Sequence, residues 1–461
     1  MSRTLFSRIC CSFALIALSF SSSAHAQTSQ TIDLTPQEMR TLAANAVVSG
    51  SPQQGYQLAS ALLQRNPNDT EALIIRARAA RDLGRVKEAI STARRAWGGA
   101  KTSSERFGAS MVMAQALSSD GSKTRAQLWL RRAAQNAPSE EFKNVAIRDF
   151  RYVQRTNPWS TELSFSAAPS SNINGGSARA TTRLFDLPFE FQLSGTARAL
   201  SGIQYNAGIA TRYRVFENER SQHDLLFHLD HRTYTMSKEA ELLAPNAKGS
   251  DFAFSSAALS YIRRGFSTSD NRFPNQLEIT AGHTWYAQAP FMQYARVSFT
   301  QNFVLSPSSF AFAGFSREYQ QSLSARQDAN SWGLNTGVRL SMANQDQLTL
   351  SIFAKKSESL DANLDYEQVT LSARYALARP IAGISIDFGL SLGQKSHELS
   401  RFTRFGRQDK TVSADITGVF RQIEYFGFSP SVTLSARQTT SNIGLHDSRE
   451  FGLRVGIQSS F

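Results

Sequence analysis

Hydrophobic and polar positions alternate along the last stretch of the chain. Phe451, Leu453, Val455, Ile457, Ser459 and Phe461 take one face, and Glu450, Gly452, Arg454, Gly456, Gln458 and Ser460 the other. A period of two marks a strand whose faces meet different surroundings. The same alternation runs through Trp332, Leu334, Thr336, Val338 and Leu340, through Val369, Leu371, Ala373, Tyr375 and Leu377, and through Ile384, Ile386, Phe388, Leu390 and Leu392. Opposite positions carry Arg339, Arg374, Asp387 and many Ser, Thr and Gly. With no second helical layer to cover them, the apolar faces are expected to meet lipid and the polar faces a lumen.

Upstream, from Thr35 to about Tyr152, the period is helical and Ala, Leu, Arg and Gln dominate. Three loosely similar units recur at about 34 residues, the spacing of tetratricopeptide repeats. Ala126, Leu130 and Ala133 precede Pro138, Ala89, Ala93 and Ala96 hold matching offsets after Asn66-Pro67, and Pro67 closes the first unit. Small residues there let paired helices approach closely, and proline stops the second helix. Asn157-Pro158-Trp159 marks the change to strand pattern.

The alternating segments predict strands at 184–198, 201–216, 221–235, 251–264, 274–287, 291–304, 308–320, 329–342, 346–356, 366–378, 381–394, 409–422, 425–437 and 447–461, or 14 in all. The long connections 236–250, 321–328, 357–365, 395–408 and 438–446 all fall on one side, as outer-membrane barrels arrange their external loops. Residues 160–167 also alternate and compete for a place in the ring. The expected fold class is α plus membrane β. A tetratricopeptide-like domain spans 33–155, and a 14-stranded antiparallel transmembrane barrel spans 160–461. An even strand count leaves both barrel ends, and the helical domain, in the periplasm.

Composition narrows the chemistry. Residues 1–26 read as a signal peptide, with Arg3 and Arg8 before the run Phe13 to Phe20 and Ala24-His25-Ala26 before Gln27. Cys10 and Cys11, the only cysteines, lie in that leader, so disulfides, cysteine metal sites and thiol catalysis are excluded from the mature chain. His223, His228 and His231 fall on two faces of one strand, which does not make a metal site. No nucleophile or acid–base motif appears, so neither an enzyme nor a cofactor is expected. Residues 27–159 carry 19 basic and 11 acidic side chains, and residues 160–461 carry 29 and 26. The basic excess therefore belongs to the helical region. For an exported protein it points to acidic clients or lipid headgroups rather than nucleic acid. Arg76, Arg78, Arg81, Arg85, Arg94 and Arg95, crowded into two helices, are the client-binding candidates.

Two junctions carry a resemblance. The barrel's start reads Pro169-Ser170-Ser171-Asn172-Ile173-Asn174, then Leu187-Pro188-Phe189. Its end reads Gly427-Phe428-Ser429-Pro430, then Ser441-Asn442-Ile443-Gly444-Leu445. In this order, with repeats ahead of the barrel, the chain resembles the surface lipoprotein assembly modifier (Slam) family across essentially its whole mature length. His446-Asp447-Ser448 departs from the more aromatic residues expected there, and the repeats are degenerate. The resemblance implies an outer-membrane translocator of the type XI secretion kind, delivering client lipoproteins or secreted haem- or metal-scavenging proteins. Repeats would handle the client in the periplasm, and the barrel would meet outer-membrane lipid. Phe461 resembles the terminal aromatic that barrel-assembly machinery reads. The competing expectation is an exopolysaccharide export barrel with periplasmic repeats, against which the near-neutral barrel argues.

Overall fold

The computed structural model describes residues 33–267 and 273–459. The leader at 1–26 and Phe461 lie outside the described residues. Seven helices come first, α1 (Pro36–Val48), α2 (Pro52–Arg65), α3 (Thr70–Asp82), α4 (Val86–Gly99), α5 (Ser103–Ser119), α6 (Lys123–Gln135) and α7 (Glu140–Thr156). The starts of α1, α3, α5 and α7 are set by side chains that satisfy the free N–H groups of a first turn. Thr35 with Glu38, and Thr102 with Glu105, form reciprocal caps, while Asp69 and Ser139 cap α3 and α7. The first helix of each pair ends the same way. Gly50, Gly84 and Gly121 follow α1, α3 and α5 at φ of 84°, 76° and 80°, the left-handed stop that glycine adopts without steric cost. This glycine series is a repeat signal that the alanine offsets alone do not capture.

Each helix packs on the next, and α3 also packs on α1 and α5, so first helices stack along one side of the array. The core is built of small residues. Ala89, Ala93, Ala96, Ala126 and Ala133 are wholly buried, with Leu117, Leu130 and Phe150 filling the larger gaps. At Gly55 an added Cβ would lie 2.3 Å from Val47 Cγ2 and 2.9 Å from the Ala43 carbonyl oxygen, so α1 and α2 approach where only hydrogen fits.

After Asn157-Pro158 the chain enters β1 (Trp159–Ser170). A 31-residue stretch, 171–201, holds the two-residue strands β2 (Thr181–Thr182) and β3 (Phe191–Gln192) and a single 3-10 turn at Gly195–Ala197. Then come β4 (Gly202–Glu217), β5 (Ser221–Met236), a short helix α8 (Lys238–Leu243), β6 (Phe254–Phe266), β7 (Pro274–Tyr286) and β8 (Ala289–Ser306). The series continues with β9 (Ser309–Ser322), β10 (Ala329–Ser341), β11 (Gln347–Ser359), β12 (Tyr366–Ala376) and β13 (Ile384–His397), and ends with β14 (Arg407–Phe420), β15 (Phe428–Ser441) and β16 (Ser448–Ser459). Strands β1 and β4 to β16 form a closed antiparallel barrel in which sequence neighbours pair and β16 returns to β1.

The ring thus has 14 strands, but not the 14 that alternation selects. The predicted strand at 184–198 lies outside the wall, and β1, which includes 160–167, takes its place. The segment 184–198 contains Asp186, Pro188 and Gly195, and Phe185 and Asp186 have positive φ, so it turns instead of extending. One long connection, 171–201, therefore joins the others at the end of the barrel away from the helices. Only two residues, Ala287-Gln288, link β7 to β8 there. Side chains facing outward are apolar along the strands, including Leu334, Leu350, Ile352, Val369, Leu371, Leu390 and Leu392. No helix among the described residues is long and apolar enough to cross a membrane. The barrel, with every strand between the seam strands fully paired, is the membrane-spanning part.

Candidate functional site

The lumen wall is built from the polar half of each alternation. Several of its charges are matched in pairs, while Arg339, Lys395, Arg437 and Arg454 have no carboxylate at ion-pair distance among the described residues. Arg374 bridges Asp387 and Asp415, the latter at 3.1 Å. Arg296 pairs with Glu318, and Lys355 stands 4.0 Å from the same carboxylate. Asp224, wholly buried, receives Arg264 at 2.5 Å with Arg212 at 3.8 Å. Such pairing reduces the net field that these groups contribute to the conduit. The three histidines of β5 turn to different partners, His223 to Tyr261, His228 to Asp230 and His231 to Ser255.

At the far end, segment 171–201 packs against neighbouring connections. Asn172 and Asn174 shape it through their amide groups. Asn172 Nδ2 donates to the Gly176 carbonyl and its Oδ1 accepts from Gly176 N, each at 3.0 Å. Asn174 Nδ2 donates to the carbonyls of Thr196 and Arg198, and its Oδ1 accepts from Leu200 N at 2.9 Å. The segment then reaches two other connections. Ser177 Oγ donates to the Gly444 carbonyl at 2.7 Å and Arg179 pairs with Asp447. Asp186 accepts from Thr403 Oγ1 at 2.6 Å and from Arg404 N at 3.1 Å, and these bonds hold its carboxyl below the usual range. Asp447 also accepts from Ser441 N at 2.6 Å. The departure His446-Asp447-Ser448 is thus one place where this segment is fastened. Beside it, burial and then the Arg407 guanidinium push the His446 imidazole down to about 4.

At the other end, the helical domain is fixed to the rim. Arg131 of α6 donates from Nη1 to the carbonyls of Phe426 and Gly427 at 3.1 and 2.9 Å, and from Nη2 to Ser459 Oγ at 2.9 Å. Its guanidinium carbon lies 4.7 Å from the Phe150 ring centre and 4.3 Å from that of Phe428. Burial between these rings lowers its pKa, with Glu424 opposing the shift. Gln135 Oε1 accepts from Phe426 N at 2.8 Å, and Lys143 Nζ meets Glu424 at 3.4 Å. On the other flank Arg214 of β4 donates to the Arg155 carbonyl at 2.9 Å. No periodic signal in the sequence points to Arg131.

The six candidate arginines do not form one patch. Arg76 pairs with Glu88 at 2.8 Å and donates to Tyr56 Oη at 3.1 Å. Burial opposes its charge, but these bonds outweigh it and its pKa rises. Arg85 lies over the same Tyr56 ring, with its guanidinium carbon 4.9 Å from the centre. Arg81 pairs with Asp82 and Gln115, and Arg95 donates to the Pro67 carbonyl. Arg78 on α3 and Arg94 on α4 are exposed.

No protein-family model matches the chain, and no curated protein sequence matches it. Among solved structures, the Yersinia enterocolitica type III secretion translocator chaperone SycD is similar over 27% of this chain and 88% of its own, at 17% identity and a TM-score of 0.24. A bacterial polysaccharide outer-membrane secretin is similar over 65% of this chain and 98% of its own, at 7% identity and a TM-score of 0.35. The anion-selective porin of Comamonas acidovorans is similar over 66% and 100%, at 9% identity and a TM-score of 0.31. Likenesses this loose transfer no function. The conclusion the geometry supports by itself is an outer-membrane β-barrel with a tetratricopeptide-like helical domain seated on one rim.

Proposed function

We propose that this protein is an outer-membrane translocator that delivers client lipoproteins or secreted scavenging proteins to the cell surface, in the manner of type XI secretion. In this reading the repeats lie in the periplasm and capture the client, and the barrel is the membrane-embedded part. The observation that carries it is the rim junction, where Arg131 binds a repeat array directly to the ends of β15 and β16. A repeat array offers an extended surface suited to a polypeptide segment. Seated on a barrel mouth, it holds a captured segment beside the conduit.

The exopolysaccharide alternative needs an attractive field for an anionic polymer. The pairing of Arg374, Arg296 and Arg264 with carboxylates argues against it. Deleting the gene and shaving whole cells with protease tests both. Loss of a surface or secreted protein is expected; loss of a surface glycan with every surface protein retained overturns the proposal. Among the described residues, the exposed Arg78, Arg85, Arg94 and Arg95 have no acidic partner at ion-pair distance. The double substitution Arg78→Glu and Arg85→Glu is expected to weaken client capture about tenfold, or about 1.4 kcal/mol, with the barrel still assembled. Pull-down of the client from periplasmic extract reads this out, and undiminished capture removes these residues from the site.

A further inference from the structure

The ring closes unevenly. Along its other edge β1 pairs with β4 at every residue from Trp159↔Tyr213 to Ser170↔Gly202. Against β16, the described residues pair only at Ala167↔Val455 and Ser170↔Gly452, near the far end. There Phe451 N donates to Ser171 Oγ at 2.9 Å and Ser171 N to the Phe451 carbonyl at 3.4 Å. Toward the helical end the strands stay alongside each other, since an added Cβ on Gly456 would sit 3.8 Å from the Phe165 carbonyl oxygen, yet among the described residues Ser164 to Ser166 form no backbone pair with β16. Backbone polar groups at membrane depth demand partners, so an unpaired edge there is a binding surface for another backbone.

The surroundings define what fits. On the outer side Leu163, Phe165 and Ile457 are 69%, 65% and 62% exposed, against 49% for Leu334 in the fully paired wall. On the lumen side the same stretch carries Ser164, Ser166, Gly456 and Gln458. Where pairing resumes, an apolar trough of about 1120 Å³ opens, lined in part by Ile203, Leu434, Phe451 and Leu453. The helical domain flanks both sides of this stretch. α7 runs directly into β1, and Arg131 holds Ser459 at the end of β16.

We propose that the unpaired stretch of the β1–β16 seam is a docking site that, by parting of β16 from β1, admits an extended polypeptide strand that alternates apolar and small polar residues and adds to the edge of β1. Apolar side chains of the strand would face lipid beside Leu163 and Phe165, and small ones the lumen beside Ser164 and Ser166. That the strand belongs to a translocated client rests on the function proposed above; the site itself does not.

The test uses the full-length chain in lipid nanodiscs with photoreactive benzoylphenylalanine in place of Phe165, and separately in place of Leu334 on the fully paired β10. The probe is a synthetic peptide with the sequence of Ser448–Ser459, which has the required alternation and already pairs with the far end of β1. Cross-linking is expected about tenfold higher at position 165 than at 334, the ratio of a specific over an adsorptive contact. A peptide of the same composition with the alternation scrambled is expected to cross-link equally weakly at both positions. Equal yields of the ordered peptide at 165 and 334, or no product at 165, overturn the proposal. Because the probe is not a client, this result is independent of the deletion test. A strain that loses no surface protein refutes the translocator while leaving the seam assay to stand or fall alone.

Discussion

Individual residues show where local preference and packing disagree, and Gly55 is the sharpest case. Inside α2, glycine costs about 1 kcal/mol relative to alanine, so propensity alone makes Gly55→Ala stabilising. Packing reverses the sign, because the new methyl meets Val47 Cγ2 at 2.3 Å and, less forgivingly, the Ala43 carbonyl at 2.9 Å. A net loss of about 1–3 kcal/mol is expected. Thermal unfolding followed by the helical circular-dichroism signal reads it, and a raised midpoint would mean that the helices separate easily. The buried alanines behave differently in legibility. Ala89, Ala93 and Ala96 repeat at fixed offsets and announce their role, whereas one glycine at a contact leaves no periodic trace. The arginines mislead for a related reason. Their crowding in sequence is plain, but α3 and α4 carry them into separate surroundings, and Glu88, Asp82 and the Pro67 carbonyl occupy three of them.

Elements were legible where a period persisted. The strands from β4 onward stand close to their alternating segments, and the boundary at Asn157-Pro158-Trp159 stands where α7 gives way to β1. The assignment of 184–198 failed because short alternation also occurs in a segment that turns, and only pairing partners distinguish the two. What 171–201 does instead is join the connections at 398–406 and 442–447, and the second of these is sensitive to pH. His446 has an ordinary pKa of 6.5 and is pushed down to about 4 by burial and by Arg407, with Asp409 opposing and His397 and Lys395 adding to the shift. Below 6.5 the released connection takes up a proton that the fastened one refuses until about 4. The folded conformation of 442–447 therefore weakens as pH falls through that window, by roughly 1–2 kcal/mol after allowance for solvent, and changes no further below it. Hydrogen exchange in 442–447 is expected to quicken over this range. In His446→Gln, which cannot titrate, that component of the pH dependence is expected to vanish; its persistence would assign the effect to other groups.

At the scale of the whole molecule, the helical domain and the barrel must work as one body for repeats to present anything to the seam or lumen, and Arg131 is the residue on which that depends. Its planar fork reaches two turn carbonyls and a strand-end hydroxyl together, between the rings of Phe150 and Phe428. A lysine has one donor centre and cannot span these acceptors, so Arg131→Lys is expected to behave nearly as Arg131→Ala. Either change should cost about 2–4 kcal/mol of docking, since hydrogen bonds from a charged donor and a desolvated cation–ring contact are lost together. Lys143 and Glu424 supply a check on geometry. Lys143→Glu or Glu424→Lys alone should loosen the junction slightly, by about 0.2–1 kcal/mol, and the exchanged pair should restore it. Disulfide trapping between Gln135→Cys and Phe426→Cys in full-length protein measures the docked fraction, and heat-modifiable mobility of the barrel shows that insertion is intact. If Arg131→Ala leaves trapping unchanged, the two parts are held by the direct run of α7 into β1 and the contact of Arg214 with Arg155, and coupling must be sought on the β4 side. If trapping falls while the barrel remains inserted, surface exposure of the client should fall with it, because a client held on an undocked array is no longer held at the rim.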